Sequence, residues 1–330
     1  MLKRAILIVT TITLVASVSG ANQMAYAATN PQSVGQALEI APPIVNLTVS
    51  PGQTTSVRIY IRDVSTTNLI VTGQANDFVA AGEDGTPKLL LNDNGSDPYS
   101  MKNWITDLPS LTLIPREIKA MTITLKVPQN ATPGGHYGVV RFTATPPDLK
   151  DTGVSLSASL GALLLVTVTG TISENLSVQE FSVNQNEQTG SFFESAPLNF
   201  LERFKNSGNI HEQPTGQVVV TDMLGHKFAV LTVNQSSSNV LPNSIRKYEE
   251  KLDETVIGDK KMFGRYTAEL KVTYGESKKT LTSTVSFWVI PYKLILFTLL
   301  GLVLAFFGMR TLIRSYNRRI VAKAQRTRRR

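Results

Sequence analysis

One stretch limits what this chain can fold into more than any other. Leu294 to Met309 (LILFTLLGLVLAFFGM) is a 16-residue run with Thr298 as its only polar side chain. It is followed by nine Lys and Arg residues, from Arg310 to Arg330, and no acid. A helix of that length rises about 24 Å, less than the ~30 Å of a hydrocarbon core. The flanks supply the remainder: Tyr292 and Lys293 before it, Thr311 to Ile313 after it. Trp288, Tyr292 and Tyr316 suit the two interfaces, and Lys293 and Arg310 can snorkel. The predicted transmembrane helix is 291–313. The positive-inside bias places the basic tail, 314–330, in the cytoplasm and everything before the span outside.

The other end reads the same way. Lys3 and Arg4 form a basic n-region, Ala5 to Val18 an apolar h-region, and Ala25-Tyr26-Ala27 a small-x-small cleavage site. These predict a secretory signal peptide over 1–27 and a polar spacer over 28–37. Charge then divides by compartment. Removing the tail and the signal from 33 basic residues leaves 22 against 25 acidic ones, so the exported part carries a net charge of about −3. Nucleic acid is excluded as a partner because it needs a basic face on the folded part. The tail, through Arg314, Arg318, Arg319, Arg328, Arg329 and Arg330, faces the anionic headgroups of the lipid bilayer instead.

The chain has no cysteine. An exported protein without disulfides depends on core burial, so its domains must be large enough to bury one. Ala28 to Ile290 is 263 residues, room for two domains of ~130 each. Thiolate nucleophiles and Cys-based metal sites are ruled out. His136, His211 and His226 are too widely spaced to give a local metal signature, and no cofactor is predicted.

Between the two ends the periodicity is that of strands. Val45, Leu47 and Val49 alternate with polar residues, then Val57, Ile59 and Ile61 do so after a Pro51-Gly52 turn. Ala81 to Ser100, rich in Gly, Pro, Asp and Asn, reads as a long loop. Met121, Ile123, Leu125 and Val127 alternate up to Pro128, and His136 to Ala144 follows the turn Asn130 to Gly135. Val154 to Val168 alternates over fifteen residues. That would be a strand of ~50 Å, so a break or a change of sheet is expected near Gly161. Further strands are predicted at Leu176 to Val183, Leu198 to Phe204, Val218 to Thr221, Phe228 to Val233, Tyr266 to Tyr274 and Leu281 to Val289. Hairpins turn at Asp222 to Gly225 and at Gly275 to Ser277. The expected fold is all-β: two tandem immunoglobulin-like β-sandwich domains, 38–170 and 171–290, followed by the single transmembrane helix.

Several of these stretches also carry a resemblance. Ser50-Pro51-Gly52-Gln53, Trp104, Leu113-Ile114-Pro115, Val127-Pro128 and GGHYGVVRF (134–142) resemble, in that order, the N-terminal domain of bacterial cell-surface proteins that interact with WxL-domain proteins. RFKNSGNIHEQPTGQVVVTDMLG (203–225) and GRYTAELKVTYG (264–275) resemble the C-terminal domain of that group. The resemblance implies a first domain that binds peptidoglycan or another cell-wall polymer and a second that docks an exported surface protein. A chaperone-like factor that adds a strand to exported chains is the alternative reading. A wall-modifying enzyme is disfavoured, since the chain lacks G-x-S-x-G, H-E-x-x-H and a phosphate loop. Trp104 and Tyr99, in the long loop and just after it, are candidates for stacking on a sugar, with a core plug as the other role for Trp104. His136 and Tyr137, after the Gly-Gly turn, are candidates for facing a ligand. Asn209 and His211, beside Pro214 and Gly216, are expected to shape a turn.

Overall fold

The computed structural model describes residues 38–91, 97–145 and 159–327. The signal peptide, the spacer, Val154 to Ala158 and Arg328 to Arg330 lie outside the described residues. The first half contains β1 (Leu38–Ala41), β2 (Ile44–Val49), β3 (Thr54–Asp63), β4 (Leu69–Ala80), β5 (Pro87–Leu90), β6 (Ile105–Thr106), β7 (Leu111–Leu113), β8 (Ile118–Lys126), β9 (Gly134–Thr145) and β10 (Ser159–Val168). The second half contains β11 (Leu176–Gln185), β12 (Gln188–Thr189), β13 (Phe192–Phe193), β14 (Leu198–Asn206), β15 (Thr215–Thr221), β16 (Lys227–Val233), β17 (Ile245–Leu252), β18 (Gly264–Tyr274) and β19 (Lys279–Val289). Helices among the described residues are the 3₁₀ turn Lys102–Trp104, the single turn α1 (Glu254–Ile257) and the long α2 (Tyr292–Thr327). The chain is all-β with one terminal helix.

Two pairs of sheets follow. Order β1-β3-β8-β6 faces order β2-β10-β9-β4-β5, with β7 on β4. Order β12-β11-β14-β17 faces order β13-β19-β18-β15-β16. Alternation explains the packing. Val57, Ile59 and Ile61 of β3 and Met121, Ile123 and Leu125 of β8 point inward against Val71, Phe142, Leu164 and Val166. In the second sandwich Phe200 and Phe204 meet Val218, Leu270, Val272 and Phe287. Each fully buried side chain of this kind contributes about 1.5–3 kcal/mol.

The first strand divides at Pro42 and Pro43. β1 pairs antiparallel with β3, and β2 pairs parallel with β10 on the opposite sheet. Prolines carry no N–H to continue a ladder, so the chain changes sheet there.

Three expectations change. β10 does not break at Gly161: it pairs with β9 in unbroken register from Ser159↔Thr143 to Val168↔Gly134. A Cβ at Gly161 would stand 2.8 Å from Val139 Cγ2, so the glycine permits close packing and imposes no bend. β17, absent from the sequence reading, completes a sheet beside β14. Its alternation is hidden because Arg246 and Glu250 occupy positions on the same side as Tyr248 and Leu252. The helix also continues past the predicted end of the span at Ile313, since no Gly or Pro follows Gly308. Every residue from Tyr292 to Asn317 is exposed, and this helix is long and apolar enough to cross a membrane.

Candidate functional site

The four predicted site residues gather in and beside the joint between the sandwiches. Asp77, on β4, explains how. It is 2 % exposed, and its carboxylate accepts from the backbone N–H groups of Met101 (2.9 Å) and Lys102 (2.8 Å) and from the Ser100 hydroxyl (2.5 Å). Those bonds fix the segment that carries Tyr99 and Trp104. Trp104 is buried, and its ring lies 4.4 Å from that of His136. His136 is buried too, with Nε2 donating to the Thr132 carbonyl at 2.9 Å. Trp104 occupies the core-plug role.

Tyr137 points to the other face of the sheet. It packs with Phe78, Val139 and Leu165, and against Tyr99 and Leu241. Its hydroxyl lies 3.4 Å from His211 Nδ1, within hydrogen-bond reach. Burial pushes the Tyr137 phenol up and lowers the His211 imidazole to about 4, so a neutral ring meets a neutral phenol. Tyr99 is half-exposed and accepts from Asn243 Nδ2 at 3.1 Å. The structure therefore brings Tyr99 to Tyr137, and Trp104 to His136, and places three of the four rings inside.

Asn209 does more than shape a turn. Its carbonyl accepts from Gly135 N–H at 2.7 Å, its Nδ2 donates to Pro133 and Thr171 carbonyls, and its Oδ1 accepts from Ser173 N–H. A Cβ at Gly134 would stand 2.6 Å from the Asn209 carbonyl oxygen. Two of the stretches that carry the resemblance, 134–142 and 203–225, thus meet each other. Across the joint, Glu83 pairs with Arg203, Nε to Oε2 at 2.8 Å, and its carbonyl accepts from Lys247 N–H at 2.7 Å. The Arg203 hydrogen bond holds the Glu83 carboxyl below the usual range.

Two cavities open beside the joint, both lined by Asn239. One, of about 390 Å³, is apolar, with Ile44, Phe78, Leu163, Leu165 and Leu241 in its walls. The other, of about 400 Å³, carries Asn46, Thr48, Gln213 and Glu212. Glu212 is 1 % exposed, its Oε1 has no partner among the described residues, and burial together with the nearby Glu174 carboxylate raises it to about 7. The sequence gives no periodic signal for this residue.

A second surface lies on β19. It pairs with β18 through eleven consecutive positions, while among the described residues its other side is paired by β13 alone, at Trp288 and Val289. Trp288 N–H donates outward to Ser191, so by alternation the N–H groups of Thr280, Thr282, Thr284 and Ser286 also point away from β18. Between Thr280 and Phe287 there is no charge, proline or bulge. Two other edges of this sandwich are blunted: β11 bulges at Val178/Glu180, and β17 carries Lys247, Glu249 and Lys251. The strand follows from its alternation; that its outer edge is unpaired among the described residues depends on topology.

No family model and no curated protein matches the chain. Among solved structures it is similar to the class 5 fimbriae chaperone CfaA, at 13 % identity over 75 % of this chain and 98 % of that one, with a TM-score of 0.37. It is also similar to the YadV chaperone, at 10 % identity over 76 % and 100 %, TM-score 0.37. A third is the SafB chaperone in complex with the Salmonella enterica SafA pilin, at 10 % identity over 77 % and 96 %, TM-score 0.35.

Proposed function

We propose that this chain is a non-enzymatic, membrane-anchored surface protein that holds an extended segment of another exported protein by strand addition along β19. The observation that supports it is the uncharged edge from Thr280 to Phe287, unpaired among the described residues, on a strand separated from the membrane helix by only Ile290 and Pro291. An incoming strand gains main-chain hydrogen bonds from the outward N–H and C=O groups and covers the half-buried Leu281 and Val285. The test uses Thr282→Pro and Thr284→Pro. Each removes an outward donor and leaves the β18 ladder intact, which an edge strand tolerates. A photoreactive side chain at Thr280 is expected to crosslink one exported protein in intact cells, and both proline variants to abolish the adduct. An adduct that persists in both sinks the reading.

The resemblance adds a wall-binding first half, and one observation favours keeping it as a second role. The polar cavity presents Asn46, Thr48, Gln213 and Asn239, neutral groups suited to a hydroxyl-rich polymer. Full-length protein in detergent is expected to be retained on isolated cell-wall sacculi, less so with Asn46→Ala and Gln213→Ala together. No retention removes the wall-binding role and leaves strand addition untouched.

A further inference from the structure

One end of the second sandwich is apolar in a way the core does not require. Phe192 is 70 % exposed, Met223 59 %, Leu224 75 % and Phe263 60 %. Register brings these residues together. Phe192 pairs with Trp288, and the two rings are stacked at 6.2 Å and 4°. Gly264, next to Phe263, pairs with Val289. A Cβ at Gly264 would stand 2.0 Å from Met223 Cε, which places the tip of the β15–β16 hairpin at the same end. Turn geometry accounts for Asp222 and Gly225, since Asp222 Oδ1 accepts from Leu224 N–H and Gly225 has φ +82°. It does not account for Met and Leu at the tip, where polar residues are usual.

This is also the end from which the membrane helix leaves. Only Ile290 and Pro291 separate Val289 from Tyr292, the first residue of α2, and Lys293 at its start is paired with Glu194, two residues after Phe192. The three Cα–Cα steps from Val289 to Tyr292 reach no more than about 11 Å, so the bilayer surface that receives the helix lies close to these side chains. We infer that the base of the second sandwich, through Phe192, Met223, Leu224, Phe263 and Trp288, inserts into the interfacial layer of the bilayer. The sandwich is then held in one orientation by a lipid contact separate from the span. Amphipathic surfaces of this kind bury apolar groups roughly 5–10 Å into the headgroup boundary, and Trp belongs at that depth. Isolated exposed apolar residues need no explanation, but a cluster rooted beside a membrane helix marks a contact surface.

The inference rests on the membrane-anchor reading of α2, and the experiment separates the two. The full chain contains no cysteine, so Leu224→Cys and, at the opposite hairpin, Glu276→Cys each accept a single spin label. The proteins are reconstituted in phosphatidylcholine–phosphatidylglycerol vesicles. The label at 224 is expected to collide several-fold less often with a water-soluble relaxation agent than the label at 276, and more often with oxygen. Equal accessibility at the two sites in protein that floats with the vesicles overturns the base contact and leaves the anchor standing. Protein that does not float overturns both. A label-free variant guards against insertion caused by the label: Met223→Asp with Leu224→Asp is expected to raise iodide quenching of Trp288 several-fold. Trp104 is buried and contributes little to that signal. Unchanged quenching counts against the inference.

Discussion

Asp77 and Glu202 are both buried carboxyls, one in each sandwich, and they are treated in opposite ways. Asp77 is surrounded by three donors and organises the segment from Ser100 to Trp104. Glu202, on β14 between Phe200 and Phe204, is 0 % exposed and neither of its oxygens has a partner among the described residues. Burial, then the nearby carboxyl of Glu250, pushes it up to about 9. The first sandwich uses its buried charge to fix a loop against the joint. The second carries an unsatisfied acid that lowers its stability at neutral pH, in the sandwich assigned the docking edge and the membrane contact.

The sharpest way to break this contrast is to remove the satisfied group. Asp77→Ala strands the Met101 and Lys102 N–H groups in a buried site. It is expected to cost about 3–5 kcal/mol, the sum of lost charge-assisted bonds and unsatisfied donors. Urea unfolding of the full chain in detergent, followed by Trp104 fluorescence, measures it. A cost below about 1 kcal/mol would mean that the loop is held by packing alone.

Glu202→Leu should act with the opposite sign. The folded-state value of about 9 lies above the unfolded 4.5, so the protonated acid is the form that suits the fold. Its contribution is complete below pH 4.5 and is lost as pH rises through 9. At pH 7 the penalty is about 3 kcal/mol, and an apolar replacement is expected to recover much of it. Wild-type stability of the second sandwich should fall between pH 5 and 9 while that of Glu202→Leu stays flatter. Parallel pH profiles would show that Glu202 finds a partner in solution.

How far this could be read from the chain depends on distance along it. Strands with clean alternation, such as Val57 to Ile61, Met121 to Val127 and Tyr266 to Tyr274, lie where period two places them. The same period puts Glu202 on the inward parity, at the third of four alternating positions from Leu198 to Phe204, but says nothing of whether it is paired. β17 escaped because edge strands tolerate charge, and Phe192-Phe193 because a two-residue strand has no period. The joint was beyond local reasoning: Tyr137 and His211 are 74 positions apart, and only the tertiary fold makes neighbours of a Gly-Gly turn and an Asn-Ser-Gly-Asn loop. The glycines and Asn209 were visible as turn formers. What each turn packs against was not.

That joint gives the next test. Gly134 has φ +124° and faces the Asn209 carbonyl oxygen, so Gly134→Ala combines a disfavoured backbone with a close contact. A loss of about 2 kcal/mol is expected. Limited proteolysis should show the bond between the halves near Thr171 becoming accessible first. If stability falls with no new cleavage there, the glycine serves the first sandwich and not the joint.

The smallest effect is expected where the contacts look most conspicuous. Glu83 meets Arg203 through two hydrogen bonds across the joint, yet both side chains remain about one-third exposed. Water screens such a pair, and exposed ion pairs contribute about 0.2–1 kcal/mol. Arg203 also has Glu180, at 3.3 Å, so it is not stranded when Glu83 is removed. Glu83→Ala should therefore cost about 0.5 kcal/mol. The backbone bond from Lys247 N–H to the Glu83 carbonyl survives the change. Because the Glu83 carboxyl is held below its ordinary value, the contribution that does exist is present above the unfolded value of 4.5 and disappears as pH falls below it. A wild-type minus Glu83→Ala difference confined to neutral pH and erased by 1 M salt would identify a screened ion pair. A difference of several kcal/mol that resists salt would place the pair in a drier joint, and the two halves would then move as one rigid body.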